Sequence, residues 1–201
     1  MRVSHRDTER TEKTRVKENT NGRLTGADLL AVREQHIARL GALFAGEPLE
    51  SAFVLCGIGG GSKADQYAEP ERWVHEALDS LAEHAEKARD AKVFRPLVVE
   101  PNPYGVHFID RMFGARVFHY EGQWWADLLR TPVGSLGPPD LVRDDTWGLA
   151  VRLAEAFLAS GVTVPLFGLP TIASALNVAL NLYGEAFLVA LIEQPGPPAA
   201  T

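Results

Sequence analysis

Ser51 to Lys63 reads SAFVLCGIGGGSK: a six-residue apolar run, Ser51 to Cys56, that breaks directly into the glycine-rich turn Gly57 to Lys63. Short apolar runs closed by glycine are strand signals. The residues that follow change period. Over 69–90, Pro70 suits a first helical turn, and Trp73, Ala77, Leu78, Leu81 and Ala85 form one apolar stripe at helical spacing. Strand, turn and helix in that order make a βα unit, and the pattern recurs along the chain. FRPLVVEP (94–101) is a second expected strand, GVHFIDRMFG (105–114) a short helix, and ARVFHY (115–120) a third strand. TPVGSLGPPDL (131–141) is a loop, 144–161 an amphipathic helix, VTVPLFG (162–168) a fourth strand, and 171–193 a last, apolar helix. Upstream, Thr25 is the expected N-cap of a first helix over 26–45. Strands separated by helices imply right-handed crossovers and a parallel sheet. The alternation fits a barrel and an open doubly wound sheet equally.

Composition sets the bounds. The chain has 201 residues, 46% hydrophobic and 23% charged, enough to bury one substantial core. A formal charge of -6 argues against a nucleic-acid partner, which needs a basic face. The single cysteine, Cys56, excludes an internal disulfide and suits a cytoplasmic setting. Residues 1–22 carry almost nothing to bury and are expected to form a disordered charged tail without a signal peptide. Residues 23–195 then form the folded portion and 196–201 a short tail. The segment 172–192 has the length of a membrane span but carries Asn177, Asn181, Gly184 and Glu185, so a buried helix is expected instead.

Each polar motif has two readings. GIGGGSK is not a Walker loop, because Ser62 precedes Lys63 and Ala64 follows it, and Ser62 stands where a dinucleotide fingerprint needs its third glycine. It reads instead as a strand-to-helix loop at the open end of a parallel sheet, with Lys63 as a substrate-binding candidate. EPNPYGVHFIDR follows the second strand, where such folds place their chemistry. Glu100, His107 and Asp110 are its candidate catalytic groups, and Asn102, Tyr104 and Arg111 candidate substrate ligands. The alternative puts Asp110 and Arg111 on a solvated helix face and makes His107 a satisfied, half-buried imidazole. In HYEGQWW, adjacent Trp124 and Trp125 must point apart, so one packs inward while the other, assigned as Trp124, lines a site. Gly168, Thr171 and Ser174 surround the entry to the last helix, with Thr171 as its cap and free N–H groups able to face an anion. The histidines have no ligand spacing: His75 and His84 lie nine apart, and no metal is expected.

Three stretches, FRPLVVEPNPYGVHFIDRMFGARV (94–117), TVPLFGLPTIAS (163–174) and NLYGEAFLVALIEQP (181–195), resemble the amino-terminal half of the uroporphyrinogen decarboxylase superfamily, specifically a uroporphyrinogen decarboxylase-like branch. The resemblance runs in order over residues 50–195. It implies an α/β fold that is a partial (β/α)8 TIM barrel of four strand–helix units with parallel strands, preceded by the N-terminal helix. It also implies a cofactor-free lyase, a carboxy-lyase linked to tetrapyrrole metabolism, acting on a small-molecule substrate. The alternatives are a corrinoid-linked methyltransferase relative and a non-catalytic portion. A full barrel takes about 250 residues, so a partner chain or a second copy in a homodimer is expected to complete it. Where the decarboxylases carry their catalytic aspartate this chain has Gly105, and GIGGGSK replaces their arginine-rich loop. The substrate is therefore expected to differ from the family's namesake.

Overall fold

The computed structural model of the chain describes residues 22–49, 57–85, 96–168 and 170–193. The charged tail up to residue 21, the strand expected over 52–57 except Gly57, the end of the helix expected to reach 90, and residues 196–201 lie outside the described residues. The chain divides into two compact units, Met1–Glu100 with Arg152–Gly168, and Pro101–Val151 with Leu169–Thr201.

In the first unit, α1 (Ala27–Phe44) is capped at Gly26 rather than Thr25. Three very short strands follow in the order β1 (Ile58–Gly59), β2 (Leu97–Val99) and β5 (Leu166–Phe167), all parallel, with β2 central. Ile58 pairs with Leu97, and Val98 with Leu166. The first described strand thus lies inside the glycine-rich stretch. Helix α2 (Pro70–His84) packs on β1 and β2, burying Ala77, Leu78 and Leu81 of the expected stripe together with Val74, while Trp73 is only half-buried. Gly60 makes that approach: a Cβ there would lie 2.1 Å from the Ala77 carbonyl oxygen and 2.9 Å from Leu81. The lead into β5 is tied back to the start of the chain, because Val164 N–H donates to Leu24 C=O at 3.1 Å and Arg33 donates to the Thr163 carbonyl.

The second unit opens after β2. Tyr104 and Gly105 both take left-handed conformations, and a 3-10 turn, Gly105–His107, leads into the short helix α3 (Phe108–Met112). The segment expected to be a third parallel strand is instead β3 (Val117–Tyr120) of an antiparallel hairpin with β4 (Gln123–Ala126). Its two-residue loop, Glu121-Gly122, has φ of 48° and 80°, the mirror-image turn whose twist suits a hairpin. Antiparallel alternation sends Trp124 inward and leaves Trp125 50% exposed.

Helix α4 (Asp145–Ala159) crosses from the second unit's residues to the first's, and Asp144 Oδ1 accepts the Trp147 N–H at 2.7 Å in its first turn. The last apolar helix is two: α5 (Ala175–Tyr183) and α6 (Glu185–Glu193), bent by 112°. Gly184 stands at the break with φ 57° and ψ -136°, a region open to glycine alone. Burial is confined to α5, where Val178, Leu182 and Tyr183 join Ala115 in the core. No α6 residue is buried, so the expectation of one continuous buried helix fails on its second half. Among the described residues no single helix is long and apolar enough to cross a membrane.

Candidate functional site

The polar site of the second unit is built by α3 and α5. Asp110, 0% exposed on α3, accepts at Oδ2 from His107 Nδ1 at 2.6 Å and from Asn181 Nδ2 at 2.8 Å. A carboxylate has no hydrogen to give, so the imidazole nitrogen facing it carries the proton. The His107 side chain is 14% exposed, and its other nitrogen, Nε2, is the one left for chemistry. Asp110 is therefore no surface residue, and Oδ1, its second oxygen, is buried without a hydrogen-bond partner among the described residues. A buried carboxylate is tolerable only where donors compensate its lost hydration. Here those donors are an imidazole three residues back in sequence and an amide from a distant helix.

The backbone around His107 is held from above by aromatic packing. Trp124 meets Tyr104 edge to face at 5.5 Å and His119 at 5.2 Å. A side chain at Gly105 would touch Trp124 Cδ1 at 3.0 Å, so this glycine serves both its positive φ and the approach of the indole. The Arg111 guanidinium lies 4.7 Å from the Tyr104 ring centre, a cation–π distance, and its Nε is buried without a hydrogen-bond partner among the described residues. Asn102 is exposed, and its carbonyl accepts the Gly105 N–H.

Other expected site residues have structural duties. Ser174, not Thr171, caps α5: its hydroxyl accepts the Asn177 N–H at 3.2 Å, so it is committed to the helix terminus rather than to a ligand. Thr171 lies four residues ahead of α5, outside any helix or strand. Glu100, Gly168 and Lys63 belong to the first unit. Glu100 is exposed directly after β2, and a Cβ on Gly168 would meet its Cγ at 3.1 Å, so that glycine allows the close passage of β5 beside β2.

The glycine-rich loop is an anion nest that already holds an anion. Glu76 Oε2 accepts from the Lys63 N–H at 2.9 Å, the Ala64 N–H at 3.0 Å and the Ser62 hydroxyl at 3.0 Å. Arg72 completes the arrangement on Oε1 at 2.8 Å. The Lys63 backbone hydrogen bond above all, then Ser62, Ala64 and Arg72, hold the Glu76 carboxyl below the usual carboxylate range. Its carboxylate occupies the donors a phosphate would need.

No family model matches this chain, and no curated protein or solved structure matches it.

Helices α3 and α5 also line an apolar cavity of about 620 Å³, with Ile109, Phe113, Val178, Leu182, Tyr183 and Phe187 among its walls. None of its lining side chains is charged. Among the described residues no group of three or more His, Cys, Asp or Glu side chains is arranged to hold a metal ion. Asn181 is the site residue that the sequence reading did not assign. Its signal was a carboxamide inside an otherwise apolar helix, a polar group that needs a partner where it is buried.

Proposed function

We propose that the chain is a uroporphyrinogen decarboxylase-like carboxy-lyase whose proton-handling group is His107, acting on a largely apolar carboxylic acid other than the family's namesake substrate. The observation that carries this reading is the 2.6 Å contact between His107 Nδ1 and the buried Asp110 carboxylate. It leaves Nε2 to exchange protons, the arrangement expected of a general acid–base group. In the reaction, the bond between the substrate carbon and its carboxylate breaks, carbon dioxide departs, and the electron pair stays on carbon. His107, as the imidazolium, gives its Nε2 proton to that carbon, and the neutral Nδ1–H imidazole that remains takes a proton back from solvent at its Nε2 lone pair. The Arg111 guanidinium offers a cation for the departing carboxylate, and the apolar cavity shared by α3 and α5 suits the substrate's body. Glu100, Asn102, Lys63 and Gly168 have no step in this scheme.

A second reading, a scaffold that a partner chain or second copy completes, is favoured by the sheet. Among the described residues β1 and β5 each pair only with β2, so both are edges.

A thermal-shift panel separates these readings. Native-state binding at 100 times Kd adds about 2.7 kcal/mol of apparent stability. Carboxylated pyrroles and arylacetates are expected to raise Tm, whereas corrinoids and thiols are not. A shift with corrinoid alone would replace the lyase with the methyltransferase reading, and no shift with any ligand would leave the scaffold reading.

A further inference from the structure

Asn181 lies 71 residues from Asp110 in sequence, yet its carboxamide shares one carboxylate oxygen with His107. Its Nδ2 is 2.8 Å from Asp110 Oδ2 and 3.5 Å from His107 Nδ1. Only the amide nitrogen fits that position, since a carbonyl oxygen there would face the carboxylate with nothing to donate. Two donors therefore converge on Oδ2 while Oδ1 stays unpartnered among the described residues. This asymmetry is informative. Nothing among the hydrogen bonds to Oδ1 fixes the carboxylate plane, so its rotation is restrained by the two groups on Oδ2. One of them, His107, is the group that must move a proton. The other is fixed on α5, one residue before the fully packed Leu182.

We infer that Asn181 is a positioning residue: it anchors the Asp110 carboxylate so that His107 is held as the Nδ1-protonated tautomer, with the lone pair at Nε2. The hydrogen bond at one ring nitrogen decides the role of the other. Without the amide, the carboxylate turns to seek other donors for its empty oxygen, and the imidazole drifts toward the Nε2-protonated form. That form presents a hydrogen where the reaction needs a lone pair to be reprotonated. The inference rests on the acid–base reading of the site, but its test does not require turnover.

The test is the long-range proton–nitrogen correlation spectrum of His107 in the full chain, uniformly labelled with nitrogen-15. In the wild type the neutral imidazole is expected to be the Nδ1–H tautomer. Asn181→Ala is expected to shift the population toward Nε2–H, and Asp110→Asn to shift it further, while circular dichroism stays native. A wild-type spectrum dominated by Nε2–H overturns the inference whatever the variants do. An Asn181→Ala spectrum identical to wild type also overturns it, assigning the orientation to Asp110 alone. A carboxy-lyase assay on the same samples keeps the two ideas apart: the predicted tautomer without carbon dioxide release removes the lyase reading and leaves Asn181 in its role.

Discussion

Asp110 is the residue on which the proposed chemistry and the stability of the second unit meet. Truncating it would leave the His107 and Asn181 donors facing an emptied site, and each unsatisfied buried group costs about 1–3 kcal/mol. Asp110→Ala is expected to lower unfolding free energy by that order, measured by denaturant titration, whereas Asn102→Ala, at an exposed position, should fall within about 0.5 kcal/mol of wild type. A second residue-scale expectation concerns acid. Burial first, then Arg39, pushes the His36 imidazole below its ordinary value of 6.5, so the unfolded chain binds a proton there more readily than the folded one. Stability from His36 is full above 6.5 and declines as pH falls below it. Glu76 is depressed below its ordinary 4.5, so its contribution is full above 4.5 and is lost as pH falls through its folded value. Stability measured against pH should therefore fall in two windows. His36→Gln should flatten the upper one and Glu76→Gln the lower, and unchanged curves in both variants would contradict these assignments. His107 and Asp110 are legible as catalytic candidates because EPNPYGVHFIDR follows an expected strand, where parallel folds place their chemistry. The sequence could not show Asp110 as buried, because burial depends on α5, which arrives from the far end of the chain.

At the scale of elements, Gly60 of GIGGGSK proves to be a packing device. A Cβ at Gly60 collides with the α2 backbone at Ala77, while one at Gly61 meets nothing closer than Ser80 Oγ at 4.0 Å. Overpacking of this kind costs about 1–3 kcal/mol, so Gly60→Ala should destabilise by at least that much and Gly61→Ala by less than about 0.5 kcal/mol. Equal losses by the two variants would contradict the close approach of loop and helix. Helices α1, α2 and α4 were legible because their stripes keep period over 15–18 residues. The strands were legible as places rather than lengths, since the described ones span 2–4 residues and their pairing is a tertiary matter. Two errors have identifiable causes. Glu121-Gly122 is a weaker hairpin signal than Asn-Gly, so the β3–β4 ribbon was read as a parallel strand with a loop. The apolar period runs through Gly184, so the break between α5 and α6 was hidden until its backbone conformation was seen.

For the whole molecule, alternation of strand and helix correctly announced a mixed α/β chain with a parallel sheet, which comprises three strands among the described residues. Closure into a barrel belongs to the proposal, together with the chemistry that such a mouth would host. In the proposed reaction His107 delivers a proton as a carboxylate leaves. The direct measurement is carbon dioxide release from a carboxylated pyrrole or arylacetate, compared between the wild type and His107→Gln. General acid–base groups contribute roughly 10²- to 10⁴-fold, and the variant is expected to lose that factor in kcat while still showing the substrate's thermal shift. Equal rates in the two proteins, or no release from any carboxylate that binds, would contradict it.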